Sequence, residues 1–241
     1  MRTLLLSDIH ANIAALESVL ADAKGEFDAV WVLGDTIGYG ADPSACLSAV
    51  RDLNAVVIAG NHEEAAVGKM TTKNFNPVAK EAIEWTAESL TEDERRYLEG
   101  LELIEVRGEF TLAHGSPRDP VWEYIESGPQ IIDNLEHFET KGCVVGHTHI
   151  PFTVGVTNGE IEQPDYVPGE RIKLVGERLY INPGSVGQPR DRDPRASYVL
   201  LDLDAWDVEF RRAEYDISRT QARIQEEGLP RFLGDRLFNG Q

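Results

Sequence analysis

The sequence of 241 residues predicts an α/β protein in which two β-sheets pack together and helices cover them on the outside. Two observations lead to this prediction. In the first third of the chain, apolar runs alternate with helical patterns, which is typical of parallel strands joined by helices. In the second half, short apolar runs separated by Gly, Pro and Asn follow one another, which indicates a β meander. Because no linker or repeat interrupts the chain, we expect a single domain, residues 1–241, with a helical tail at about 216–241.

The first third of the chain predicts a parallel sheet covered by helices. Three apolar runs predict buried strands at residues 3–6, 29–33 and 55–59. Asn12 is the expected N-cap of the first helix, and Asp42 followed by a proline opens a second helix that ends near residue 51. Further helices are expected after Asn76, and after Thr91, which forms a capping box with Glu94.

The remaining elements follow in order. Eight more strands are predicted at residues 103–106, 109–113, 142–145, 152–156, 171–175, 178–181, 197–203 and 208–213. Helices are expected near 131–137, at about 217–226 and at 231–237.

Composition limits the partners of this chain. With 42 acidic and 23 basic residues, the net charge is −19, and such a surface repels nucleic-acid backbones and anionic membranes. No stretch reaches the roughly 20 apolar residues that span a membrane, and Cys46 and Cys143 are too few for a disulfide framework. We therefore expect a cytoplasmic protein with no membrane partner and no extended nucleic-acid partner.

The strongest chemical pattern is the placement of histidine. Five of the six histidines lie in short motifs with Asp, Asn and Gly, each just after an apolar run. Since the carboxyl ends of parallel strands share one edge of a sheet, these side chains are expected to gather at one site. The motifs are Asp8-Ile9-His10, Gly34-Asp35, Gly60-Asn61-His62-Glu63, His114-Gly115 and Gly146-His147-Thr148-His149.

Each motif alone also fits a structural role, such as a cap or a satisfied polar residue at a strand end. If the strands continue, alternation points Asp8 and His10 to one face, and likewise His147 and His149. Two histidines at that spacing are a moderately specific metal pattern. Together the motifs indicate a metal site, and its imidazole and oxygen ligands without thiolate favour Mn, Fe, Zn or Co over Ca or Cu(I).

In order and spacing, these motifs resemble the calcineurin-like metallophosphoesterase superfamily. The segment at 182–191, Asn-Pro-Gly-Ser-Val-Gly-Gln-Pro-Arg-Asp, is similar to the bacterial and archaeal branch with small phosphodiesterases and relatives of diadenosine tetraphosphatase. The resemblance implies a four-layer α-β-β-α sandwich of two packed mixed sheets flanked by helices.

The resemblance also implies two divalent transition metal ions, with Mn²⁺ the first choice. Asp35 would bridge them, one carboxylate oxygen facing each ion. The first ion would be held by Asp8, His10, Asp35 and His149, and the second by Asp35, Asn61, His114 and His147.

His62 matches the family's catalytic histidine, which would protonate the leaving oxygen or, as imidazolium, stabilise its negative charge. The family commonly has an Asp three residues after the bridging Asp, where it steadies this histidine, but this chain has Gly38 there. Glu63 and Asp42 are the two candidates to substitute for it. Without a substitute, His62 is less basic, and substrates with good leaving groups are favoured.

Substrate contacts are less defined by the sequence. Arg190, inside the family-like segment, is the candidate phosphate contact, whereas Arg118 and Arg192 are expected to be exposed loop residues. Tyr39 is expected either to stack on a substrate base or to pack internally. Trp122, Tyr124 and residues 163–169 are placed at the rim of the cleft without a role.

The implied function is hydrolysis of a phosphodiester or a dinucleoside polyphosphate by metal-activated hydroxide, with a small phosphate ester or nucleotide as substrate. A phosphomonoesterase and a protein phosphatase are alternatives, although the protein phosphatase segment Gly-Asp-x-Val-Asp-Arg-Gly is absent. A non-catalytic scaffold, like the metal-deficient retromer subunit of this fold, is a further alternative. Such scaffolds lose ligands, and this chain keeps them all.

Overall fold

A computed structural model describes residues 1–241. Twelve strands form two six-stranded sheets, and eight α-helices surround them. The strands are β1 (Arg2–Leu6), β2 (Ala29–Val32), β3 (Val56–Val57), β4 (Ile104–Arg107), β5 (Phe110–Ala113), β6 (Gly142–Val144), β7 (Phe152–Thr157), β8 (Glu160–Glu162), β9 (Arg171–Lys173), β10 (Arg178–Asn182), β11 (Ala196–Asp202) and β12 (Asp207–Ala213). The helices are α1 (Ile13–Asp22), α2 (Pro43–Asp52), α3 (Asn61–Ala66), α4 (Pro77–Ser89), α5 (Glu92–Glu99), α6 (Gly128–Asn134), α7 (Ile217–Glu226) and α8 (Arg231–Asp235).

The first sheet has the order β3-β2-β1-β11-β12-β9. As predicted, β1, β2 and β3 are parallel, because α1 and α2 carry the chain back between them. The Asn12 side chain caps α1 by accepting from the N–H of Ala15. The other half of the sheet is antiparallel and comes from β9, β11 and β12.

The second sheet has the order β4-β5-β6-β10-β7-β8. Strand β6 lies parallel to β5 and β10, and the other pairs are antiparallel, so both sheets are mixed. The predicted meander is therefore wrong in one respect, because β9, β11 and β12 leave it and complete the first sheet. Strand β8 was not predicted, since all three of its residues are exposed and show no apolar pattern.

Three groups of buried side chains define four layers. The inner faces of the two sheets meet in one cluster, where Leu5 and Trp31 of the first sheet join Phe110 and Ile181 of the second. Helices α1 and α2 cover the outer face of the first sheet, and α6 covers the outer face of the second. This is the predicted α-β-β-α sandwich. Both cysteines are buried and free.

The C-terminal helices do not extend away from the sheets. Ile224, Leu233 and Leu237 pack in one cluster with Ala82 of α4 and with Tyr39, which follows β2. The tail therefore forms part of the wall around the carboxyl ends of the first three strands. None of the eight α-helices combines the length and the apolarity that crossing a membrane requires.

Candidate metal centre

The predicted ligands lie at the carboxyl ends of strands from both sheets. Those of the first sheet follow β1, β2 and β3, and those of the second sheet follow β5 and β6. All are buried, with at most 4% of any of these residues exposed. The structure thus brings every residue of the predicted set to one edge of the sandwich: Asp8, His10, Asp35, Asn61, His62, His114, His147 and His149.

Left-handed backbone places most of these side chains. Such φ values are uncommon in residues other than glycine and cost roughly 1–3 kcal/mol each, so surrounding structure must hold them. The residues concerned and their φ angles are Asp8 (53°), His10 (50°), Asp35 (51°), His147 (64°) and His149 (61°).

The prediction that strand alternation orients the two pairs was wrong. Strand β1 ends at Leu6 and β6 ends at Val144, in both cases before the ligands. Tight turns orient the side chains instead. As a result His147 and His149 enter different clusters, rather than one shared face.

The first cluster contains Asp8, His10 and His149. Oδ1 of Asp8 lies 3.2 Å from Nε2 of His149 and 3.8 Å from Nε2 of His10. The two imidazole Nε2 atoms are 3.1 Å apart. Oδ2 of Asp8 is already engaged, since it accepts from the Ser7 hydroxyl and from the His147 N–H. Oδ1 is therefore the free oxygen.

The second cluster contains Asp35, His114 and His147, with Asn61 beside them. Nε2 of His114 lies 3.3 Å from Oδ2 of Asp35, 3.1 Å from Nδ1 of His147 and 3.2 Å from Oδ1 of Asn61. Three acceptor atoms thus converge on one imidazole nitrogen.

Asp35 connects the clusters through one oxygen. Its Oδ2 is 3.3 Å from Nε2 of His114 and 3.8 Å from Nε2 of His10, whereas its Oδ1 accepts the N–H of His62 at 3.0 Å. The sequence predicted one oxygen for each ion. The structure instead directs Oδ2 to both clusters, because Oδ1 is used to hold the start of α3.

The donor set fits divalent cations. Nδ1 of His10, His114 and His149 each faces a backbone carbonyl, at 3.2, 2.7 and 2.5 Å, so Nδ1 carries the proton and Nε2 presents a lone pair. Two lone pairs that face each other at 3.1 Å cannot form a hydrogen bond. Asp8 Oδ1, the oxygen that faces the first cluster, is buried without any hydrogen-bond partner. A buried oxygen with an unused lone pair is typical of a metal site.

The pKa shifts of the histidines also fit a site for divalent cations. Burial lowers the pKa of His10 and of His149, and lowers that of His147 to about 3, which leaves the neutral imidazoles that metals require. His114 is the exception. Burial opposes its charge, yet the carboxylates of Asp35 and Asp8 raise its pKa to about 10. The carboxylates of the site therefore attract a positive charge.

His62 lies between the clusters and the aromatic wall. Its Nε2 is 3.9 Å from Oδ2 of Asp35, and its ring packs against Tyr39 at 4.5 Å and edge-on against Phe75 at 5.6 Å between centroids. Nδ1 is buried without a hydrogen-bond partner. Burial lowers the pKa of His62 to about 4. Packing, rather than a carboxylate, fixes this ring.

Neither expected substitute for the family's Asp contacts His62. Asp42 accepts from Arg223 at 3.1 Å. Gly38, in the place of that Asp, has φ +84°, and a Cβ built on it would lie 1.9 Å from Nδ1 of His62. The expectation that Glu63 or Asp42 replaces the missing carboxylate was therefore wrong, and the imidazole occupies the space that a side chain at position 38 needs.

The Glu63 carboxylate binds backbone N–H groups instead of His62. Oε2 accepts the N–H groups of Gly60 and Asp35, both at 2.8 Å, and Oε1 accepts those of Thr36 at 2.7 Å and Ile37 at 3.2 Å. Burial and the nearby Asp35 raise its pKa to about 7, although the four donors favour the carboxylate. Glu63 thus fixes the left-handed turn that presents Asp35.

Of the three arginines considered in the sequence, only one lies beside the clusters. Arg190 lies beside the first cluster: its N–H donates to the His149 carbonyl at 3.4 Å, and its charge contributes to lowering the pKa of His149. Its Nε has no partner. Arg118 pairs with Glu123, and Arg192 is exposed on the surface, so neither reaches the clusters, as expected.

Two aromatic residues for which the sequence predicted no role, Tyr124 and Trp122, lie against the second cluster. Tyr124 stacks on His147 with centroids 3.9 Å apart and 22° between planes, and it remains 37% exposed. Trp122 lies 6.5 Å from His147 between centroids. Tyr39 packs against His10 and is buried, which is the internal role of its two alternatives. A Trp-x-Tyr pair in a loop has no distinctive pattern, so only the fold reveals the stack.

Comparison with known proteins identifies a family whose members hydrolyse phosphoric esters, in keeping with the geometry of the site. Residues 1–205 match the calcineurin-like phosphoesterase superfamily domain. The chain belongs to this superfamily. It is 37% identical to the uncharacterized protein MJ0912 of Methanocaldococcus jannaschii over 98% of this chain and 97% of that one. Its structure resembles a metallophosphoesterase from Sphaerobacter thermophilus, with 44% identity, complete coverage of both chains and a TM-score of 0.89.

More distant structures share the fold. A putative diadenosine tetraphosphatase is 19% identical, with a TM-score of 0.54 over 88% of this chain and 94% of the other. Membership of the superfamily makes the chain a metal-dependent phosphoric ester hydrolase. Its His and Asp clusters are compatible with divalent metal binding.

Proposed function

We propose that this protein hydrolyses a phosphodiester or a dinucleoside polyphosphate with two divalent metal ions, Mn²⁺ being the first choice, in the cytoplasm. The observation that carries the proposal is the arrangement around Asp35, whose Oδ2 faces His10 of one cluster and His114 of the other. A single carboxylate oxygen shared by two groups of lone pairs suits two adjacent cations.

The ligand roles follow the two clusters. Asp8, His10 and His149 would hold one ion and Asn61, His114 and His147 the other, with Asp35 shared between them. When bound, two such ions would supply a nucleophile from water near neutral pH and neutralise the phosphoryl oxygens. The protein orients the imidazoles through backbone carbonyls, so that the site is assembled before substrate arrives.

His62 is proposed to donate a proton to the leaving oxygen. Its Nε2 is directed toward the shared Asp35 oxygen, and its other nitrogen has no carboxylate partner. Burial disfavours the protonated form. This arrangement suits leaving groups that need little proton transfer, such as the phosphate of a polyphosphate.

Arg190 is proposed to contact the phosphate of the substrate. Its partly buried guanidinium has one hydrogen bond, from Nη2 to Gln188 at 3.2 Å, and its Nε is free. With a chain charge of −19, a monoanionic diester is repelled less than a dianionic monoester. A small nucleotide or phosphate ester, rather than extended nucleic acid, is the proposed substrate.

The decisive experiment is a substrate panel with the Mn²⁺-loaded protein. Bis(4-nitrophenyl) phosphate and dinucleoside polyphosphates should give higher kcat/KM than 4-nitrophenyl phosphate, and a chelator should abolish each activity. A higher kcat/KM for the monoester than for every diester and dinucleotide would make the protein a phosphomonoesterase instead. Because the chain keeps every proposed metal ligand, a non-catalytic scaffold is disfavoured. A metal-loaded protein that hydrolyses no substrate of the panel would instead favour the scaffold.

A further inference from the structure

A cavity of about 260 Å³ lies beside the two clusters and has no part in holding them. Thr148, between His147 and His149, forms part of its lining, and so does Ile125. Tyr124, the neighbour of Ile125, stacks on His147. Because consecutive Cα atoms are only about 3.8 Å apart, the cavity begins one residue away from His147 at Thr148. At Ile125 it begins one residue away from the ring that stacks on His147.

The cavity has an apolar wall and an exposed apolar mouth. Ile131, Phe152 and Val154 belong to its lining. Only ten large apolar side chains of the chain are exposed, and three of them stand at or next to this mouth: Tyr124 (37%), Ile150 (41%) and Ile161 (37%). Scattered exposed apolar residues need no explanation, whereas a group around a cavity marks a binding surface.

The polar groups of the lining restrict the ligand. Glu126 and Gln163 are exposed there, and the lining contains no lysine or arginine. The hydroxyl of Ser127 is already bound to Gln130 at 2.9 Å. The Glu126 carboxylate only accepts hydrogen bonds, and the Gln163 carboxamide accepts through its oxygen and donates through its NH₂. With a carboxylate and no cation in its lining, the cavity favours an amino group over a phosphate.

We infer that this cavity binds the nucleobase of the substrate, and that the base carries an exocyclic amino group. The inference rests on the proposed phosphodiester activity, because it places the base next to a phosphate held at the clusters. The apolar wall takes the faces of the ring, and Glu126 and Gln163 take its amino edge. Tyr124 lies between the two sites, where the sugar would pass.

Two substrates with the same leaving group test the inference: the 4-nitrophenyl ester of adenosine 5′-monophosphate and methyl 4-nitrophenyl phosphate. Both are monoanionic diesters, so they differ only in the nucleoside. We expect a higher kcat/KM for the nucleoside ester, and Ile161→Gln should reduce that preference about fivefold, because it removes the apolar contact of a partly exposed side chain with the base. The methyl ester should be unaffected.

Ile104→Gln is the matched control. Ile104 and Ile161 lie on β4 and β8, the two edge strands of the same sheet, and are 39% and 37% exposed. The control should keep the full preference. Equal kcat/KM for the two esters, or a preference that Ile161→Gln leaves intact, would overturn the inference while the proposed function stands.

Equilibrium dialysis of adenosine with the metal-loaded protein separates the two proposals, since adenosine has no phosphate to hydrolyse. Adenosine retained by the unmodified chain and by Ile104→Gln, but not by Ile161→Gln, supports the cavity even if neither ester is hydrolysed. In that case only the proposed function fails. Inosine, which lacks the amino group, should be retained less, and equal retention would overturn the assignment of the amino edge.

Discussion

The two sheets contribute different chemistry to the same site. Among the proposed ligands, the loops of the first sheet carry every oxygen donor, Asp8, Asp35 and Asn61, whereas those of the second sheet carry only imidazoles. Each cluster combines both kinds of donor. The site therefore exists only when the sheets are packed together, and the metal-binding edge of the sandwich is a product of tertiary structure.

The sheets also differ in how their ligands are anchored. Asp35, on the first sheet, is held by its own side of the fold, through Glu63 and the N–H of His62. His114, on the second sheet, is oriented from across the interface, because its Nδ1 faces the Leu33 carbonyl at 2.7 Å. Asp35 is thus held from within its own sheet, whereas His114 depends on the packing between the sheets.

The largest effect is expected for Asp35→Asn, which removes the only ligand that both clusters share. An amide leaves one fewer anionic oxygen for two dications, so both ions should bind weakly. Turnover should fall by more than the roughly 10⁴-fold limit for losing a single acid. Elemental analysis and steady-state kinetics check this, with the exposed Asp52→Asn as control. Full loading with two metals in Asp35→Asn would contradict the shared role.

His62→Ala should come next, with a loss of about 10²–10⁴-fold in kcat and unchanged metal content. His62 is proposed to move a proton and is not counted among the ligands, although it lies within reach of His10 and Asp35. The loss should be smaller for an activated aryl ester, since its leaving group needs little protonation. His137→Ala is the control, because His137 is an exposed histidine outside the motifs.

Loss of an ion in His62→Ala would make this residue a ligand. An equal loss on good and poor leaving groups would instead mean that His62 only positions the phosphate.

Gly38→Asp sharpens the question of what holds His62. This change restores the residue type that the family has at that position, but a Cβ there would lie 1.9 Å from Nδ1 of His62, and φ is +84°. We expect the ring to be displaced and kcat to fall about 100-fold, as for a misplaced catalytic group. Gly68→Asp is a matched control, because φ is +81° and nothing lies within 4 Å. A gain in kcat would show that the turn can adapt to a carboxylate.

These residues show what a sequence can predict here. The ligand set and its position at strand ends were predicted because a polar residue after a buried run must lie at the edge of a sheet. The assignment of His147 and His149 to different ions came from the family resemblance alone, since left-handed turns place these residues and spacing carries no information about such turns. Glu63 was also misassigned, because a carboxylate beside a histidine looks the same in sequence whether it binds the side chain or the backbone.

Long-range features were the least predictable. Strands β11 and β12 look like continuations of a meander, and only the pairing of β11 with β1 places them in the first sheet. The cavity formed by residues between 125 and 163 also depends on contacts between segments that are distant in sequence. Its lining comes from residues 125–131 at the start of α6, from Thr148 and the residues after His149, and from the β7–β8 hairpin, and no local pattern links these segments.

The smallest expected effect tests how the first sheet holds Asp35. Glu63→Gln keeps the size of the side chain but replaces one oxygen with an NH₂ group, which cannot accept from two backbone N–H groups. Two of the four hydrogen bonds that hold residues 35–37 and 60 should be lost. Because Asp35 then loses its fixed turn, metal affinity should fall about 10- to 100-fold, the usual effect of removing a group that orients a ligand.

Calorimetric titration of the metal-free protein with Mn²⁺ measures this affinity, and Glu64→Gln is the control, since Glu64 pairs with Lys69 and holds no part of the turn. The anchoring of the two sheets makes the expected pattern specific. Glu63→Gln acts on the shared carboxylate, so both binding steps should weaken, although the imidazoles of the second sheet keep their carbonyl partners. Weakening of only one step would show that the turn supports one cluster, and that the second sheet holds the other ion without help from Asp35.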